Sequence, residues 1–184
     1  MVAGRLYAPE LPGQGKSDKP PRALTVPEAA QALVQWMDAA GIARAALAGH
    51  SLGCQAAAHV AASHGARVER LVLMGPTVAP SQGNAWSVIW RLGIDALLES
   101  KSLVLLEIVD LFRTGLRRAW QIMRAALADP IELVLPRVTQ PTLVVRGSRD
   151  LISPGDWTRQ LAALLPNGAF LEVAGSAHAF HYSD

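Results

Sequence analysis

Cysteine is almost missing from this chain: Cys54 stands alone among 184 residues. No internal disulfide can form, nothing in the cysteine usage calls for an oxidising compartment, and a cytoplasmic setting is the expectation. Long hydrophobic runs are missing too. The most apolar stretch, residues 102–112 (SLVLLEIVDLF), is interrupted by Glu107 and Asp110, and the opening MVAGRLYAPELPG has no apolar region behind a basic start. Neither a membrane span nor a secretory leader is expected. Charge of one sign is scarce: 17 Lys and Arg against 15 Asp and Glu leave a net +2, too small an excess to argue for a nucleic-acid partner. Clustered His, Cys and carboxylate spacings are also lacking, and the PGQG at 12–15 has none of the further glycines of a dinucleotide loop, so neither a metal nor an organic cofactor is expected. Oligomeric state is left open.

What is present suits one domain with a core of its own: 51% of the residues are hydrophobic, 17% charged and only 5% aromatic. Strand-like and helix-period segments alternate, which predicts an α/β fold built on a mostly parallel, doubly wound sheet. Arg5 to Ala8 can form a short strand, followed by a Gly/Pro loop. A helix should start where Thr25 and Glu28 have capping-box spacing, with Pro27 in its first turn and Ala30, Leu33, Val34 and Met37 on one face. Gly41 suits its end. Strands are expected at Ala45 to Ala48, Val68 to Met74, Thr142 to Arg146 and Ala169 to Val173, about five in all. Residues 1–77 and 138–184 would build the sheet domain, and 78–137, which read as helices only, would form a small lid.

Gly49, His50, Ser51, Leu52 and Gly53 spell GxSxG between a strand and a small-residue helix. A serine on so sharp a turn is lifted above the sheet, and flanking glycines admit neighbouring backbone where a Cβ would collide. The helix behind it directs its positive end, with the free N–H of Leu52, toward charge developing on a tetrahedral intermediate. By chance the motif should arise in roughly one chain in fifteen of this size. The bland reading makes Ser51 an ordinary helix cap. A serine nucleophile needs a base and a group that orients the base. Asp150 and His178 each follow a predicted strand through a short loop, beyond the carboxyl ends where open α/β sheets place their sites. The order Ser51, Asp150, His178 is the one a nucleophile elbow requires.

Rival readings attach to several residues. His181 is an alternative base and Asp156 an alternative acid, while His59 and His64 read as helix-surface residues and Cys54 as a small buried hydrophobe. His50, Trp86 and Trp90 are candidates for lining a substrate pocket, though the tryptophans could equally pack the helices onto the sheet. Arg113, Arg117 and Arg124 could greet an anionic substrate or form a solvated helix face.

GHSLG at 49–53, APELPGQGKSDKP at 8–20, PTLVVRGSRDLISP at 141–154 and GSAHAF at 175–180 together make the chain resemble the α/β-hydrolase family. The resemblance covers nearly the whole chain. It implies a serine hydrolase with the catalytic set Ser51, Asp150 and His178, an oxyanion donor at Leu52 and a helical cap between the family's sixth and seventh strands. The sixth strand here ends in MGPTV without a carboxylate, which favours Asp150 as the acid. An apolar acyl or carbonyl small molecule is the expected substrate, cleaved as an ester, with carbon–carbon bond hydrolysis of dicarbonyl compounds as the alternative.

The same resemblance implies elements with no counterpart here: three preceding strands, a loop donating a second oxyanion N–H, and a final helix. A chain truncated at both ends is therefore expected, and a catalytically impaired fragment is a further alternative. Loss of one oxyanion donor typically costs about a hundredfold to a thousandfold in turnover.

Overall fold

A computed structural model describes residues 4–76 and 85–183, with the side chain of Ser183 excepted. Four strands, β1 (Ala45–His50), β2 (Val68–Met74), β3 (Thr142–Gly147) and β4 (Gly168–Val173), form one sheet in the order β1-β2-β3-β4. Every pairing is parallel, with Leu47 opposite Leu71, Leu73 opposite Val144 and Val145 opposite Leu171. Parallel neighbours need crossovers, and the chain supplies α2 (Leu52–Ser63) between β1 and β2 and α6 (Gly155–Leu164) between β3 and β4. The crossover from β2 to β3 is long. Its described part holds α3 (Ala85–Asp95), α4 (Lys101–Thr114), α5 (Leu116–Leu127) and two 3-10 turns at Ile131–Leu133 and Leu135–Arg137.

Local chemistry explains the boundaries. In α1 (Val26–Ala39) the Thr25 side chain accepts from the Glu28 amide at 3.4 Å while Glu28 accepts from the Thr25 amide at 2.9 Å, which closes the expected capping box. Gly41 then takes a φ of +68° just past the helix end. The core lies where Val60, Leu71, Leu73 and Val144 meet Leu161 and Leu135. Alanines make α2 thin enough to pack between α1 and the sheet, burying Ala57, Ala58 and Ala61.

Two expectations need correcting. Arg5 to Ala8 is not a strand, and the described residues carry four strands instead of about five. A lone extended segment has nothing to pair with; Leu6 is 96% exposed and only Tyr7 finds a partner, edge-on to Trp36 at 5.6 Å between ring centroids. The first of the three middle helices stops at Asp95, and the turn after it carries Asp95 and Glu99 toward the loop after β4. Within residues 78–137 the described part, 85–137, is helical as expected, and residues 78–84 lie outside the described set. No helix among the described residues is long and apolar enough to cross a membrane.

Candidate active site

Ser51 joins β1 to α2 with φ +50° and ψ −121°, the only described residue other than glycine with a positive φ. Such a conformation costs on the order of 1–3 kcal/mol and persists only where its surroundings hold it. Here the Ser51 amide donates to the carbonyl of Met74 at 2.9 Å, tying the turn to the end of β2. A Cβ on Gly49 would lie 2.5 Å from the Gly53 carbonyl oxygen, so the first glycine of the motif is required by close backbone approach. Gly53 is different: a Cβ there meets nothing within 4 Å. The ordinary-cap reading of Ser51 finds no support, since its side chain makes no capping hydrogen bond to α2.

The loops after β3 and β4 bring Asp150 and His178 together. His178 Nδ1 lies 2.8 Å from Asp150 Oδ2, both side chains being buried. The other oxygen, Oδ1, accepts from the amides of Ile152 and Ser153, each at 2.8 Å, which fixes the carboxylate plane. Arg146 braces that loop from beneath, donating to the carbonyls of Asp150 at 3.1 Å and Ser153 at 3.0 Å while pairing with Glu172 at 2.5 Å. Gly75 and Gly147 make room: a Cβ on the first would sit 2.8 Å from His178 Cε1, and on the second 2.1 Å from the Ala177 carbonyl.

Burial opposes protonation of His178, but the bond to Asp150 and the charges of Asp150, Asp95 and Glu99 outweigh it and raise its pKa. His178 Nε2 is buried and without a hydrogen-bond partner among the described residues, so the serine–histidine hydrogen bond is not formed in this structure. Leu52 occupies the first position of α2, where helix amides have no partner within the helix, and it shares with Ser51 the wall of a cavity of about 1440 Å³.

The rival residues stand elsewhere. Asp156 is 98% exposed and pairs loosely with Arg159 at 3.5 Å. The His181 ring lies against that of His50, tilted by 50° with 4.3 Å between centroids. His50 itself sits against the His178 ring at 4.6 Å, and its Nε2 lies 3.1 Å from the His178 carbonyl. Burial first, then the positive potential of His178 and His181, depresses its pKa to about 3. His50 thus packs beside His178 and does not line the cavity. Trp86 and Trp90 are about 70% exposed and outside the cavity wall; α5 contributes Trp120 instead, against which Trp86 packs at 5.6 Å. Helical period marked the tryptophans of the segment, but only packing determines which one faces inward. Cys54 is buried, and burial pushes its thiol pKa up. His59 is not a free surface residue, since it pairs with Asp129 at 2.9 Å.

Two residues near His178 carry no sequence signal. Asp95, buried at the end of α3, accepts a hydrogen bond from the His178 backbone amide and keeps Oδ1 without a partner among the described residues. Glu99, one turn later, accepts from the Ala179 amide at 2.7 Å. Burial, with the charges of Asp150 and Glu99, lifts the Asp95 carboxyl to about 6 against the pull of His178. No motif links α3 to a loop some 80 residues away, so only the fold reveals this contact.

Comparison with known proteins agrees with this geometry. Residues 2–184 match the profile described as the alpha/beta hydrolase family. The chain belongs to that family. Among curated proteins it is similar to RutD of Caulobacter segnis, to which carbamate hydrolysis is ascribed, with 27% identity over 94% of this chain and 73% of the relative. It is also similar to 2-hydroxymuconate semialdehyde hydrolase of Pseudomonas putida, with 28% identity over 93% of this chain and 69% of that protein. Among solved structures, Est816, described as an N-acyl homoserine lactone degrading enzyme, superposes with a TM-score of 0.75 at 21% identity, covering 94% of this chain and 75% of its own. The fold of this hydrolase-family chain is thereby shared.

Proposed function

We propose that this alpha/beta hydrolase is a serine hydrolase that cleaves an ester or related carbonyl compound through an acyl-enzyme on Ser51. The observation that carries the reading is the buried 2.8 Å contact between His178 Nδ1 and Asp150 Oδ2, which leaves Nε2 as the nitrogen available for proton transfer. Ser51 Oγ attacks the substrate carbonyl carbon as its proton passes to His178 Nε2. The oxyanion is held by the Leu52 amide at the positive end of α2. Collapse expels the alcohol, which takes the proton from His178, and water then repeats the sequence to release the acid. Residues 78–137 act as a cap, because α3, α4 and α5 supply most of the cavity wall that faces Ser51.

A second reading is cleavage of a carbon–carbon bond in a dicarbonyl compound by the same three residues. It is favoured by the similarity to 2-hydroxymuconate semialdehyde hydrolase.

Fluorophosphonate labelling located by peptide mass spectrometry tests the common core of both readings, with circular dichroism establishing that each sample is folded. Label confined to Ser51 and absent from Ser51→Ala is expected. A folded chain that takes no label would overturn the proposal. Turnover of short esters against ring-fission-type diketones then separates the two readings.

A further inference from the structure

The cavity before Ser51 has apolar walls, to which Leu92, Leu106, Trp120 and Met123 contribute. Its charged lining residues are Glu10, Glu107, Asp110, Asp129 and Glu132, every one a carboxylate. No lysine, arginine or histidine lines it among the described residues, and residues 77–84 contain none in sequence. The arginines that sequence offered for an anionic substrate are turned away: Arg113, Arg117 and Arg124 are exposed and outside the wall. Two of the five carboxylates have cationic or titratable partners, Asp110 with Arg113 at 3.2 Å and Asp129 with His59 at 2.9 Å. Glu10 receives only the Lys16 amide at 2.6 Å, and Glu107 and Glu132 have no ion pair among the described residues. Burial first, then the charge of Glu99, raises the pKa of Glu107 against the pull of His178.

Gln55 anchors this acidic wall. Gln55, 1% exposed and on the cavity wall, donates from Nε2 to the Ala126 carbonyl at 2.8 Å and to the carbonyl of Asp129. Its Oε1 is left without a partner. Gln55 Nε2 also lies 3.4 Å from Asp129 Oδ2, so one of the five carboxylates is anchored to α2 four residues after Ser51. We infer that the cavity selects uncharged or ammonium-bearing amphiphilic acyl compounds and rejects carboxylated ones. This deepens the serine-hydrolase reading and rests on it for the word substrate. Like charges brought together in a partly desolvated site repel more strongly than in water, whereas an ammonium gains from the same field.

The test measures binding, so it does not depend on turnover. Folded Ser51→Ala chain is titrated above neutral pH with three probes of one chain length, decyltrimethylammonium, decanol and decanoate, each below its micelle concentration. The expected order is ammonium, alcohol, carboxylate, with about tenfold or more between the first and last at low salt. Added salt should narrow the gap, as should the double variant Glu107→Gln with Glu132→Gln. Equal or tighter binding of decanoate, no binding of any probe, or a gap that survives the double substitution would each overturn the inference. Missing label at Ser51 with the probe order intact would instead count against the hydrolase reading alone.

Discussion

His178 is held by three carboxylates, and they do different work. Asp150 orients the ring through Nδ1, while Asp95 at the end of α3 and Glu99 in the turn after it hold the backbone amides of residues 178 and 179. Each also adds negative potential that raises the imidazole pKa, so proton acceptance by His178 is lost as pH falls through that raised value. With the Asp95 carboxyl at about 6, it is ionised over most of the range in which the imidazole is neutral. Asp95→Asn keeps the shape and removes the charge. The acid limb of kcat/KM should then move to lower pH, by roughly half a unit. A residue with only a structural part in the fold would lower activity without moving that limb. Sequence displayed Ser51, Asp150 and His178 because each closes a strand-to-loop junction, whereas Asp95 reaches its partner only through tertiary packing.

Among elements, the elbow and the loops around it depend on glycines of unequal importance. Gly49→Ala would drive a methyl group to 2.5 Å from the Gly53 carbonyl, and Gly147→Ala to 2.1 Å from that of Ala177. Both contacts are with backbone, which cannot swing aside. Each substitution should destabilise the chain by about 3 kcal/mol or more and lower the thermal midpoint by several degrees. Gly53→Ala is expected to be neutral or stabilising by up to about 1 kcal/mol, because its Cβ meets nothing and alanine favours the helix. Thermal melts of the three variants, read side by side, check this directly; a stable Gly147→Ala would contradict the packing described. GxSxG made both motif glycines look alike. Only the distances separate them, and only the distances single out Gly147 within the run 141–154.

At the scale of the molecule, the accessible surface is 10326 Å², against about 8,600 Å² for a compact monomer of this mass. Part of the excess lies on α4, which has no buried residue, and at β1, whose outer edge is unpaired among the described strands. Stability should also respond to acid through His50. Its folded pKa of about 3 is below the usual value near 6.5, so its contribution is complete above about pH 6.5 and is lost progressively as pH falls toward 3. At about pH 4 the loss should be on the order of 3 kcal/mol, seen as a falling midpoint in thermal melts. His50→Gln should flatten that fall; a variant that falls as steeply as the parent would show that other groups govern acid unfolding.

Sequence by itself determined what is local in origin. The capping box at Thr25 and Glu28, the four strand segments of the sheet, the elbow and the loops bearing Asp150 and His178 all follow from periodicity and turn chemistry acting over a few residues. Tertiary structure decided what depends on distant partners. A segment such as Arg5 to Ala8 is a strand only if another strand offers it hydrogen bonds, and Trp120 lines the cavity in place of Trp86 or Trp90 because α5 lies against the mouth of the site. The pairing of Asp95 with the histidine loop has the same cause: burial and electrostatics are properties of the space around a residue, which its neighbours in sequence do not specify.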